Sequence, residues 1–91
     1  LIPQCCNILD MTYKVLLLDD DSRFRRMVVP GLLSKGFDVT EVSTGREARE
    51  HIDKESFDLL IIDGLLPDTD GIALITKYRA SGGRTPIIFI S

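Results

Sequence analysis

Two groups of carboxylates in this chain each close an apolar run. Asp19, Asp20 and Asp21 follow Val15-Leu16-Leu17-Leu18, and Asp63 follows Leu59-Leu60-Ile61-Ile62. A short continuous apolar run reads as a strand buried on both faces of a sheet, and open α/β sheets bind ligands in the crevice outside the carboxyl ends of their strands. If the two strands are neighbours, their axes lie about 4.8 Å apart, so Asp19, Asp20 and Asp63 converge on one small volume. Carboxylates this close raise one another's pKa unless a cation neutralises them. Magnesium suits the set, because it takes oxygen ligands in octahedral geometry and combines one or two carboxylates with water and phosphate oxygens. With such an ion in place, Asp63 could attack a phosphoryl group and form an acyl phosphate, the metal screening the approach of anion to anion. The plainer alternative is that Asp19, Asp20 and Asp21 only cap a helix and Asp63 only ends a strand. The joint occurrence of the two motifs weighs against it.

The intervening segments supply the elements that would position these groups. Asp21 or Ser22 can cap a helix running to about Lys35, with Phe24, Met27, Val28, Leu32 and Leu33 near one face and Gly36 as its stop. Pro30 falls inside that helix, where it removes a backbone donor and clashes with the preceding turn at a cost of about 3 kcal/mol; this predicts a kink over residues 26–29. A second strand is expected over residues 37–42. Thr44 and Glu47 then form a capping box for a helix over Gly45–Lys54, whose apolar face is thin, chiefly Ala48 and Ile52. A third strand over residues 57–63 leads to a helix over Gly71–Ala80, capped by Asp70, that buries Ile72, Leu74, Ile75 and Tyr78. Ser81-Gly82-Gly83 ends it, and Pro86 introduces the apolar run Ile87–Ile90. Strand and helix alternating three times before a last strand imply parallel βαβ units with helices on both faces, a doubly wound α/β sheet.

Composition narrows the classes of function. At 91 residues the chain forms one domain at most. A net charge of −3 argues against nucleic acid or a membrane surface as the main partner, since both require clustered Lys and Arg. Arg23, Arg25 and Arg26 make the one basic knot and read as a solvated helix face. Cys5 and Cys6 are adjacent, which suits neither a disulfide nor a zinc spacing. No apolar run approaches the roughly 18 residues of a membrane span, and the amino end lacks a signal-peptide layout, so a soluble cytoplasmic protein is expected. Residues 1–10 carry no period and precede Met11, which reads as a natural start. They are expected to be a leader or upstream extension outside the fold, with the domain over residues 11–91. His51, the one histidine, is expected on an exposed helix face with no neighbouring carboxylate, so a histidine phosphodonor would come from another molecule.

From Lys14 to Ser91 the chain resembles the receiver domains of two-component response regulators. The resemblance rests on Leu18-Asp19-Asp20-Asp21 and on Asp63-Gly64-Leu65-Leu66-Pro67-Asp68-Thr69-Asp70-Gly71. It implies a flavodoxin-like fold with strand order 2-1-3-4-5, of which this chain would supply the first four strands. It also implies that Asp63 is the phosphoacceptor, modified by a partner histidine kinase or phosphotransfer protein. Mg²⁺ would be the cofactor, with Asp20 a direct ligand, Asp19 acting mainly through metal-bound water, and Asp63 and the Leu65 backbone carbonyl completing the set. Ser91 matches the hydroxyl residue that turns toward the phosphoryl group on activation, and Pro67 and Gly71 shape the loop after the site.

Two departures from the family pattern stand out. Gly64 replaces a larger apolar side chain, which implies a looser, more exposed site floor. The family continues with a fourth helix, a fifth strand bearing a lysine that pairs with the phosphoryl group, and a fifth helix. The expectation is therefore a domain truncated after the fourth strand, which either buries the apolar edge Ile87–Ile90 against another copy or is a trimmed piece of a longer protein. The reading is a signalling phosphoacceptor, not an enzyme acting on a metabolite. A magnesium-dependent phosphatase with an aspartyl nucleophile would want a second carboxylate where Leu65 stands. A pseudo-receiver that only binds a partner through its helical face is the other alternative.

Overall fold

The structure is a computed structural model that describes residues 12–90. Residues 1–10, the expected leader, and Ser91, the expected switch hydroxyl, lie outside the described residues. The elements are β1 (Lys14–Leu18), α1 (Ser22–Ser34), β2 (Asp38–Val42), α2 (Gly45–Lys54), β3 (Leu59–Asp63), α3 (Gly71–Ala80) and β4 (Ile87–Ile90). All strand pairs are parallel, in the order β2-β1-β3-β4. This is the first four-strand part of the flavodoxin-like order.

β1 explains why the sheet has two covered faces. Val15, Leu16, Leu17 and Leu18 are all fully buried, and because successive side chains alternate across a strand they feed two cores. Leu16 and Leu18 join Val42, Ala48, Phe57, Leu60, Ile62 and Leu74 on the face covered by α2 and α3. Val15 and Leu17 join Ile61 on the opposite face, against Phe24, Val28, Val29 and Leu32 of α1. Burying one Leu or Val in this way contributes about 1.5–3 kcal/mol, so β1 is the centre of the hydrophobic stabilisation.

The helices bury a narrower stripe than their apolar residues suggest. On α1, Met27 is 80% and Leu33 54% exposed. At about 100° per residue they flank the line through Phe24, Val28 and Leu32, and Val29 packs instead. Ile72 of α3 is likewise 64% exposed, while Leu74 is buried and Ile75 and Tyr78 pack onto the core. α1 is helical from Ser22 to Ser34 with Pro30 inside it on the exposed side, so residues 26–29 keep helical structure across the place where a kink is expected. Gly36 and Gly82, at φ +90° and +97°, follow α1 and α3 in the left-handed conformation that helix ends favour. β2 and β3 begin later than expected, at Asp38 and Leu59, and Phe37 and Phe57 pack onto the two cores just ahead of the ladders.

The entry to β4 is fixed by one tyrosine. The Tyr78 hydroxyl donates to Thr85 Oγ1 at 2.7 Å and accepts from Thr85 N–H at 3.1 Å, while Thr85 Oγ1 donates to the Phe57 carbonyl at 3.2 Å. The ring lies on Gly83, where any Cβ would collide with it. Helix, loop and the approach to β3 are thereby joined. Tyr78→Phe is expected to lower stability by about 1 kcal/mol, the usual worth of a lost intramolecular hydrogen bond, with an unchanged urea m-value. A midpoint equal to wild type would show that the network carries no net stability.

Candidate functional site

The carboxyl edge of the sheet brings the acidic residues together. Leu18 pairs with Ile62 in the β1–β3 register, so the next residue of each strand, Asp19 and Asp63, emerges side by side. Carboxylate oxygens of Asp19, Asp20 and Asp63 all lie within 4.8 Å of one another. Octahedral Mg²⁺ with bonds of about 2.1 Å places neighbouring ligand oxygens about 3 Å apart and opposite ones about 4.2 Å apart. Small side-chain rotations, or an intervening water, bring this oxygen set to that geometry.

The three acids of the first group have separate tasks. Asp19 is 5% exposed; its N–H donates to the Val42 carbonyl at 3.2 Å, and its Oδ1 accepts from Asp21 N–H at 2.8 Å. Asp20 is exposed and belongs to the cluster. Asp21 caps α1, its Oδ1 accepting from Arg23 N–H at 2.9 Å and Phe24 N–H at 3.4 Å. Of the two capping candidates, Asp21 therefore fills the role. Burial pushes the Asp19 carboxyl above its ordinary range; the Asp21 N–H opposes the shift, and the charges of Asp63, Asp20 and Asp21 add to it. An acid raised in the folded state costs stability at neutral pH, and the cost is relieved as pH falls through its folded pKa. A cation at the cluster removes the same penalty without a proton.

Asp63 is held from behind by glycines and a turn. Its Oδ1 accepts from Leu65 N–H at 3.2 Å, and Leu65 and Asp70 pair across the loop mouth. Gly71 N–H donates to the Gly64 carbonyl at 3.0 Å. A Cβ on Gly71 would collide with the Asp63 carbonyl, so only glycine lets the first turn of α3 approach the strand end this closely. The Leu65 side chain is 78% exposed, and its carbonyl, the expected backbone ligand, belongs to this same turn. Gly64 does not leave a loose floor. A Cβ there would stand 2.8 Å from Phe89 Cζ, so the ring of Phe89 on β4 fills the space that a larger residue 64 would take.

Two residues take positions that the sequence reading did not assign to them. Asp68 reaches from the loop to the start of α2, its Oδ1 accepting from Gly45 N–H at 2.8 Å and its Oδ2 from Arg46 N–H at 3.0 Å. Thr69 lies against Gly45 closely enough to exclude a Cβ. The same helix end has its own cap, with Thr44 Oγ1 accepting from Glu47 N–H at 3.2 Å and Glu47 Oε1 accepting from Ser43 N–H at 3.1 Å. A glycine at the first helical position, beside a local cap, was the signal that something else approaches there. The second contributor is Arg25, expected on a solvated face but only 18% exposed. Its Nη1 donates to the Asp19 carbonyl, and its Nε donates to Glu41 Oε1 at 3.2 Å.

His51 departs from expectation in one respect. Glu55, one turn on, places Oε2 3.2 Å from His51 Nδ1 and also pairs with Lys14 Nζ. This group stands at the carboxyl end of α2 and the amino end of β1, the edge of the sheet opposite the acidic cluster.

A parallel doubly wound sheet with converging carboxylates at its carboxyl edge defines a flavodoxin-like α/β domain with an acidic cluster at that edge. The comparison with known proteins is more specific: residues 15–91 match the response regulator receiver domain, and the chain belongs to that family of two-component signalling domains. It is 36% identical over 78 residues to the transcriptional regulatory protein TrcR of Mycobacterium tuberculosis, covering 86% of this chain and 30% of that protein. The chain thus spans about a third of the length of this curated relative. The receiver domain of the Francisella response regulator 1452 superposes with a TM-score of 0.83 at 32% identity, over 86% of this chain and 64% of the other. The MaeR response regulator bound to beryllium trifluoride superposes with a TM-score of 0.80 at 27% identity, over 88% and 66% of the two chains.

The two N–H groups of α2 hold the Asp68 carboxyl below its usual range, Gly45 contributing most. A depressed carboxylate contributes stability that is present above its unfolded pKa and lost as pH falls through its folded pKa. Asp68→Ala is therefore expected to melt below wild type at neutral pH, with the gap narrowing in acid below the ordinary carboxylate range. Urea titrations at the two pH values measure it; a gap independent of pH would rule out the ionised cap.

Proposed function

We propose that this domain accepts a phosphoryl group on Asp63 from a phosphohistidine of a partner histidine kinase or phosphotransfer protein, with Mg²⁺ as cofactor. The observation that carries the reading is the convergence of Asp19, Asp20 and Asp63 at adjoining strand ends. Bound there, Mg²⁺ would neutralise charge on the transferring oxygens. Asp20 and Asp63 are the direct carboxylate ligands in this reading, the Leu65 carbonyl is a third, and Asp19 acts through metal-bound water, one of its oxygens being already engaged by Asp21 N–H. Leu65 N–H fixes Asp63 Oδ1 and leaves Oδ2 as the attacking atom. The new O–P bond forms as the P–N bond of the phosphohistidine breaks, and the imidazole nitrogen recovers a proton. Ser91 supplies the hydroxyl that answers the phosphoryl group. The beryllium trifluoride bound to MaeR, a mimic of a phosphoryl group, supports this chemistry in a relative.

The phosphatase alternative is disfavoured by the loop itself. Leu65 offers no acid/base, and the nearby acids cap helices, Asp68 on α2 and Asp70 through Ala73 N–H at 2.6 Å on α3. The domain in this reading is a phosphoacceptor rather than an enzyme, located in the cytoplasm. Among the described residues no helix is long and apolar enough to cross a membrane, and the net charge of −3 does not suit direct nucleic-acid or membrane binding. A transcriptional output, as in the named relative, would reside in other parts of a longer protein.

Incubation of the chain with a small phosphodonor and Mg²⁺ is expected to add one phosphoryl mass, absent from Asp63→Asn and from samples with excess chelator. A wild type that gains no mass under conditions that phosphorylate an intact receiver leaves the pseudo-receiver reading in place. β4 supports a further part of the proposal. Among the described residues, Ile88 and Phe89 are 51% and 42% exposed on β4, which pairs with β3, and in this reading the apolar side chains of β4 are covered by a second copy. Light scattering at rising concentration would show a dimer, and a monomer throughout would discard it.

A further inference from the structure

The peptide that joins Asp19 to Asp20 is clamped from outside the cluster. Asp19 N–H is held by the Val42 carbonyl at 3.2 Å, and the Asp19 carbonyl is held by Arg25 Nη1. The Arg25 backbone N–H donates to the Asp21 carbonyl at 3.2 Å, so main chain and side chain of one residue grip both ends of the acidic turn. The guanidinium is aimed by Glu41, which accepts from Nε at 3.2 Å and directly precedes Val42 in β2. Arg23 and Arg26 have no comparable role. Arg23 lies 83% exposed, 3.8 Å from Asp21, and Arg26 is on the exposed side of α1.

This arrangement matters because of where the rigid plane lies. An amide is planar, so holding the Asp19 carbonyl restrains the plane that carries the Asp20 N and Cα, and the bond from Asp21 N–H to Asp19 Oδ1 restrains the chain on the far side of Asp20. Asp20 is the exposed member of the cluster, and no core packing of its own sets its aim. Arginine suits the task because its planar, always charged fork donates to a carbonyl and a carboxylate at once.

We propose that Arg25 is a positioning residue for the metal cluster: through the Asp19 carbonyl, and held in turn by Glu41, it aims Asp20 at the ion. The inference rests on the metal-dependent reading of the Asp19, Asp20 and Asp63 cluster. Outer-shell partners of metal ligands typically carry about 10- to 100-fold in metal affinity. Arg25→Ala is therefore expected to weaken Mg²⁺ binding about 10-fold, read from the Asp20 and Asp63 amide signals during a Mg²⁺ titration. Arg25→Lys recovers only part of the loss, because an ammonium reaches the carbonyl without the second, Glu41-directed bond. Glu41→Gln gives a smaller loss in the same direction. In the metal-free protein, Arg25→Ala moves the Asp20 amide signal and speeds its exchange, while β3 amides stay protected.

Leu32→Ala, on the same helix face but distant from the turn, serves as the control for stability alone. Equal Mg²⁺ affinity in wild type and Arg25→Ala would overturn the inference while leaving the metal reading intact. An affinity loss matched by Leu32→Ala would overturn it too. A wild type that binds no Mg²⁺ would remove the functional reading and this inference together. If Arg25→Ala fails to fold, Glu41→Ala decides: it removes the acceptor that a Gln would keep, and unchanged Mg²⁺ affinity there overturns the inference.

Discussion

The parallel pairing of β1 with β3 is the constraint on which the rest of the molecule depends. A shift of one residue in that register would turn Asp19 away from Asp63 and move the buried set of β1 to the wrong faces. The register is strongly specified because both sides of β1 are buried. The same leucines that drive folding therefore set the spacing of the carboxylates. Chemistry at the edge is inherited from packing at the centre.

Against that packing stands an electrostatic penalty. Asp19 is drawn into the sheet end by the Val42 carbonyl and loses water there, beside two other carboxylates. Like charges at such separations disfavour the ionised state, and Asp21 N–H donates to one oxygen of the Asp19 carboxylate in partial compensation. The fold tolerates this because the surrounding backbone is over-determined: glycine contact at Gly71, the Leu65–Asp70 pair and the Asp68 clasp all restrain the loop. A site with repulsion built in is pre-set to favour whichever cation enters it.

Much of this was legible in the residues. The continuous apolar runs marked the strands, and Asp21, Thr44 and Asp70 were readable caps because capping is local. The strand order came from family resemblance, since hydrophobic pattern alone does not rank parallel neighbours. What escaped were contacts between distant loops and choices within one helix turn. Asp68 bonds a residue 23 positions away, and although Gly45 hints that something approaches the start of α2, the chain does not say that it is Asp68. Arg25 is indistinguishable from Arg23 and Arg26 until its azimuth on α1 relative to β2 is known. Met27, Leu33 and Ile72 were assigned to cores because amphipathic patterns do not reveal how wide a stripe the sheet will cover. The His51–Glu55 contact was within reach, being one helical turn apart.

The replacement at Gly64 carries a consequence for how such chains diverge. A strand-end residue and an aromatic on the next strand share one volume there, the ring of Phe89 taking what a side chain at 64 would occupy. A side chain at 64 would therefore require the Phe89 ring to swing outward, which its 42% exposure permits. The backbone sets no such demand, since Gly64 N–H is already bonded to the Ile90 carbonyl at 2.7 Å and a Cβ would stand 3.5 Å from that oxygen. The two positions are coupled through one rotamer, so the size of residue 64 decides how far the Phe89 ring reaches over the end of β3.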